Sequence, residues 1–112
     1  HKRHPDPKYH DYPDTVTCYA VSKKGKLGKK LFTIDEGSDG MAVDVKGNLY
    51  LTHGQVQVYD ADGKKLETIE VPEKPANVCF GGKDYKTLFI TARSSLYQVR
   101  LAHAGAMSLR NK

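Results

Sequence analysis

A few polar residues stand where short apolar runs begin or end, and each carries a different chemistry. Asp39, in Ser38-Asp39-Gly40-Met41, offers a carboxylate directly before an alternating run. On spacing alone, Asp-Gly reads as a turn. His53 follows Leu49-Tyr50-Leu51-Thr52 and precedes Gly54. An imidazole titrates near neutral pH and suits acid–base work or a substrate contact, although a histidine at a strand end is more often a plain surface residue. Asn77 opens another run after Pro75; its amide can bind substrate hydroxyls or simply close a loop. Arg93, in Thr91-Ala92-Arg93-Ser94-Ser95, reads first as a solvated loop side chain and second as a holder of a product carboxylate. His1, His4 and His10 lie among Pro5, Pro7 and Pro13. Histidine clusters bind metals, but proline spacing of this kind marks a flexible loop. Asp44 belongs to an Asp-x-x-Gly-Asn turn pattern whose carboxylate caps backbone N–H groups, so it is assigned to structure. The chain has no serine nucleophile elbow, phosphate loop or dinucleotide fingerprint.

These residues need elements to hold them, and the elements read as strands. Met41 and Val43, Leu49 and Leu51, then Val56 and Val58 recur with period two. Gly47 and Gly63 mark the tight turns of antiparallel neighbours. The pattern then repeats at about 40 residues, the spacing of a propeller blade. Thr15-Val16-Thr17-Cys18-Tyr19 falls on Gln55-Val56-Gln57-Val58-Tyr59, and Leu49-Tyr50-Leu51-Thr52 on Leu88-Phe89-Ile90-Thr91. The expected fold is therefore all-β, a partial β-propeller of two to three four-stranded antiparallel blades. Residues 1–14 read as a loop or extension. Residues 15–37 read as the outer strands of one blade, 38–72 as a full blade and 73–101 as an incomplete last blade. Residues 102–112 form a tail. Propellers have at least four blades, so the chain is expected to be a C-terminal piece or to be completed by copies or another chain.

The 112 residues suffice for one small domain, and 38% hydrophobic with 28% charged content suits a globular rather than a disordered chain. No apolar run is long enough to span a bilayer as a helix. The opening HKRHPDP lacks the apolar core of a secretory signal and an initiator Met, which fits a processed or partial chain and leaves the compartment open. The formal net charge is +5. Much of it comes from Lys23, Lys24, Lys26, Lys29 and Lys30, read as a solvated hairpin in preference to a nucleic-acid patch because arginines and aromatics are not interleaved. No nucleic-acid or membrane partner is expected. Cys18 and Cys79 form no ligand-spaced pair and are expected to be buried free thiols.

The order of motifs resembles the C-terminal part of the gluconolactonase family, also called the SMP-30 or regucalcin-like family. Those motifs are Ser38-Asp39-Gly40-Met41 with Gly47-Asn48-Leu49-Tyr50, the Tyr59-Asp60-x-Asp62-Gly63 turn, Val71-Pro72-Glu73, Asn77-Val78-Cys79-Phe80-Gly81-Gly82, and Ser95-Leu96-Tyr97. The likeness runs from about Val16 to Leu101. It implies the last blades of a six-bladed propeller with a divalent cation in its channel, opening sugar lactones. It also implies that Asp39 is a metal ligand and a general base. A glutamate and an asparagine ligand, and the strand that closes the last blade, would lie outside this chain.

An oxygen-rich site of that kind suits calcium first, with magnesium or zinc as alternatives. Substrate contacts are assigned to Asn77 and His53. The leading expectation is thus the C-terminal fragment of a metal-dependent lactone hydrolase, incomplete as an enzyme alone. The alternative is a non-catalytic propeller module that assembles with itself or a partner through blade faces.

Overall fold

Alternating side chains and glycine turns make every regular element a strand in the computed structural model, which describes residues 15–106. The loop and histidine cluster expected over residues 1–14, and the tail from residue 107, lie outside the described residues. The chain divides into two compact units, before and after the Ser38–Asp39 junction.

The first unit holds one hairpin, β1 (Val16–Val21) and β2 (Leu27–Ile34). The strands run antiparallel, from Val16 opposite Ile34 to Val21 opposite Leu27. The register shifts on either side of Tyr19. Such irregularities tighten the local twist of a two-stranded ribbon.

The second unit holds two sheets. One is four-stranded in the order β3 (Met41–Val43), β4 (Leu49–His53), β5 (Gln55–Tyr59), β6 (Lys65–Ile69). The other is three-stranded: β7 (Pro75–Gly81), β8 (Thr87–Ala92), β9 (Leu96–Arg100). Every pairing is antiparallel between consecutive strands. Two such meanders packed face to face are successive propeller blades, so the fold class expected from the sequence is the one observed.

What joins the sheets is one apolar layer. Tyr50, Val56 and Val58 of the first sheet meet Val78, Phe80, Leu88 and Ile90 of the second. Tyr50 and Phe80 meet edge to face, centroids 5.4 Å apart, an arrangement that adds to simple burial. Each of these side chains contributes on the order of 1.5–3 kcal/mol when fully buried. In β7 the inward positions are Val78 and Phe80, so Cys79 faces the other way and is exposed. Cys18 is half-buried. Alternation on a strand overrides the apolar flanks that made both thiols read as buried.

After β9 the chain turns back along the first sheet. Val45 N donates to Ala104 O at 2.8 Å, Ala106 N to Val43 O at 2.8 Å, and Gly105 bridges Asp44. A Cβ on Gly105 would stand 2.4 Å from the Phe80 ring. Only glycine permits this segment to lie so close over the core.

Three turns use one device. Asp44 Oδ1 accepts from Lys46 N and Asn48 N, each at 2.9 Å. Asp60 Oδ1 accepts from Asp62 N and Lys64 N at 2.9 Å. Asp84 Oδ1 accepts from Lys86 N at 3.2 Å. The carboxylate replaces backbone partners that the tight turn leaves empty.

Candidate functional site

The end of the second unit at which β3 and β7 begin carries Asp39, His53, Asn77 and Arg93 of the residues singled out above. Asp39 precedes β3, and its N–H donates to Thr52 O at 3.1 Å. Thr52 N returns a bond to Gly40 O at 3.0 Å. The ladder therefore continues past Met41 and fixes Asp39 beside the end of β4. Thr52 itself is buried; its hydroxyl accepts from Gly40 N at 2.8 Å and lies 3.3 Å from Ala76 O in the neighbouring sheet. Thus one hydroxyl ties the entry of β3 to the entry of β7.

That tie brings Gly40 and Asn77 together. A Cβ on Gly40 would stand 2.0 Å from Asn77 Oδ1 and 3.0 Å from Asn77 Cα. Gly40 therefore permits a backbone approach that no other residue would. Both Asp39 and Asn77 are exposed at this end. Asn77 Oδ1 accepts from Val78 N at 2.8 Å. With that oxygen engaged, the group Asn77 offers a ligand is its Nδ2 donor, which suits a substrate oxygen better than a cation.

His53 stands one residue beyond Thr52, exposed, at the turn made by Gly54 with φ +74. It shares the end of the sheet, but the close approach is between Gly40 and Asn77. Arg93 is exposed in the turn between β8 and β9, at the same end, since Asn77 pairs with Thr91 and Pro75 with Ala92.

Glu73 organises that turn. Its carboxylate accepts from Ser94 N at 3.0 Å, Ser94 Oγ at 3.1 Å, Ser95 Oγ at 2.9 Å and Tyr97 OH at 3.1 Å. The Ser94 backbone bond leads the effects that hold this carboxyl below the usual glutamate range. Sequence reading missed Glu73 and Thr52 because their partners lie far away in sequence, 12 to 24 positions. A threonine on a strand face shared with Tyr50, and a glutamate ahead of Ser94-Ser95, were the only local signs.

At the opposite end, Asp44 serves structure. It is 1% exposed. Its Oδ2 accepts from Asn48 Nδ2 and Tyr50 OH, both at 2.9 Å. Burial alone would raise its pKa, but the bonds from Asn48, Tyr50 and Lys46 outweigh it, and the net shift is downward. Tyr50 is pushed above its ordinary value by burial, then by the Asp44 bond and charge. A shallow recess of about 270 Å³, lined in part by Asn48, Leu66, Glu67 and His103, opens at that end, away from Asp39.

The described residues do not by themselves form a site for the divalent cation that the resemblance implies. Among the described residues no three His, Cys, Asp or Glu side chains converge. Calcium takes six to eight oxygens. Asp39 supplies a hard carboxylate donor, but it does not make a cation site by itself.

Residues 11–94 match the family model described as the SMP-30/Gluconolactonase/LRE-like region. Regucalcin of Bos taurus is 40% identical over 73 residues, which cover 60% of this chain and 24% of that protein. The pentonolactonase XacC of Haloferax volcanii is 44% identical over 57 residues, covering 47% of this chain and 20% of that protein. The X-ray structure of a candidate gluconolactonase superimposes with a TM-score of 0.71 at 26% identity, over 84% of this chain and 34% of that one. A luciferin-regenerating enzyme shares the fold, with a TM-score of 0.67 at 19% identity, over 84% of this chain and 40% of that one. The aligned part thus spans about a quarter of the regucalcins it matches.

Proposed function

The chain belongs to the SMP-30/gluconolactonase/LRE-like family, and from that premise we propose that it is the C-terminal part of a lactone hydrolase acting on a sugar lactone. The observation that carries the reading is the contact of Gly40 with Asn77. It places Gly40, the chain neighbour of Asp39, against Asn77 of the other sheet. A pentonolactonase among the relatives supports a lactone of a sugar acid as the substrate class.

In this reading water adds to the lactone carbonyl carbon and the ring C–O bond breaks. Asp39 takes the proton of the attacking water and returns it to the departing ring oxygen, leaving an open-chain hydroxy acid. Asn77 Nδ2 donates to a substrate oxygen, and exposed His53 contacts the sugar. Asp39 is also one oxygen ligand of a divalent cation, calcium before magnesium or zinc, whose other ligands are not among the described residues. Such an ion, when bound, polarises the carbonyl.

Two measurements test this. Calcium titration by calorimetry, with and without Asp39→Ala, should show binding that the substitution abolishes; unchanged tight binding would exclude Asp39 as a ligand. A pH-stat assay on sugar lactones should find the 112-residue chain far weaker than a full-length relative. Full activity in the isolated chain would refute the need for further ligands.

A further inference from the structure

The β1–β2 hairpin carries Lys23, Lys24, Lys26, Lys29 and Lys30, and no acidic residue lies between Thr15 and Ile34. Every residue from Val21 to Lys30 is exposed. Among the described residues, no acid pairs with any of these lysines. The apex is a fixed turn. Gly25 N donates to Ser22 O at 2.9 Å, Ser22 N to Lys26 O at 2.9 Å and Lys26 N to Ser22 Oγ at 3.0 Å. Gly25 supplies the left-handed φ of +82 that closes it. Lys23 and Lys24 thus occupy the tip.

Directly behind the tip is an apolar pair. Val21 lies opposite Leu27, and Tyr19 opposite Lys30. Residues directly opposite share a face of the ribbon. Val21 is 62% exposed, Leu27 64% and Tyr19 45%. The lysines alone would be a solvated hairpin. Lysines surrounding an exposed aliphatic pair at a rigid tip form a different surface.

We propose that this hairpin docks on an anionic lipid surface. Val21 and Leu27 enter the headgroup boundary, and the lysines meet acidic headgroups. The aliphatic pair needs an apolar medium, which a nucleic acid offers only as base faces. Stacking there calls for arginines and several aromatics, and Tyr19 is the one aromatic on this face. A second copy of the hairpin would set lysines against lysines. The docking is peripheral; no helix among the described residues is long and apolar enough to cross a membrane.

The test is sedimentation of the 112-residue chain with phosphatidylcholine vesicles, with and without a quarter of phosphatidylserine. Binding should require phosphatidylserine and fall between about 0.05 and 0.5 M salt as charge screening shortens. The triple variant Lys23→Gln, Lys24→Gln, Lys26→Gln should weaken it by about five-fold per lysine, on the order of 100-fold in all. Val21→Thr with Leu27→Thr keeps strand propensity and charge; it should weaken binding while leaving the salt dependence in place. Unchanged far-UV circular dichroism verifies that each variant folds. Equal binding to neutral vesicles, or none to anionic ones, would overturn the proposal. So would binding to single-stranded RNA that outcompetes vesicles and ignores the threonine variant, or an oligomer that the threonine variant dissolves.

Discussion

Asp44 shows how a single side chain can be read from sequence and still matter only for stability. Its turn chemistry is local, so the Asp-x-x-Gly-Asn spacing sufficed to assign it as a cap. The structure adds Tyr50 OH as a fourth donor. Asp44→Ala would strand that buried hydroxyl and several turn N–H groups. The expected loss is about 2–3 kcal/mol in urea denaturation, with Asp44→Asn in between. The sign of the pH dependence follows from the lowered folded-state pKa. A carboxyl that is more acidic folded than unfolded stabilises the protein above its unfolded value of about 3.9. That contribution fades as pH falls through the folded value. In the wild type, stability should therefore be level above about pH 5 and decline below about pH 4. The Asp44→Asn variant should show a shallower decline. Asp39 is assigned a site role only through motif order, since Asp-Gly by itself is a turn. Thr52 left only a faint local sign, because its tie to Ala76 lies in another sheet.

Strands were legible because period two is strong and glycine punctuates it; connections held by distant side chains were not. The shift between Tyr19 and Val21 has Gly28 on the partner strand, a mark the sequence reading took only as part of a hairpin turn. The β8–β9 turn is the clearest case. Ala92 N donates to Ser95 O at 2.9 Å within the turn, and Glu73, far off in sequence, accepts bonds from both serines and from Tyr97. This turn carries Arg93 at the end of the sheet where Gly40 and Asn77 meet. Glu73→Ala should free it. Amide exchange at Ser94 should quicken while Leu88 and Ile90, in the core, keep their protection. Since the Glu73 pKa is lowered on folding, the wild-type turn should stay protected until pH falls below the ordinary glutamate range, then loosen. Equal exchange at Ser94 in both proteins would mean that the backbone holds the turn without Glu73.

The two sheets of the second unit bury one shared layer, and that sets how the molecule meets its own kind. The layer consumes the inward faces: Val56 and Val58 from one side, Leu88 and Ile90 from the other. On β7 to β9 the outward face keeps exposed Cys79 and Leu96, the latter 64% exposed. The edge of β9 away from β8 has no strand partner among the described residues. Blades of repeat architectures gain stability from neighbours, and an uncovered apolar face seeks one. The isolated 112-residue chain, 12.5 kDa, should therefore sediment with a mass that rises with concentration. Leu96→Lys places a charge on that face and should return the mass towards that of the monomer without loss of strand content. The hairpin variant Val21→Thr with Leu27→Thr should leave the self-association intact, since it alters the other unit. A monomer at all concentrations, unfolding in one cooperative transition, would show that the exposed face needs no neighbour. The assembling-module reading would then fall, whereas the lactone-hydrolase reading, which rests on Asp39 and Asn77, would stand.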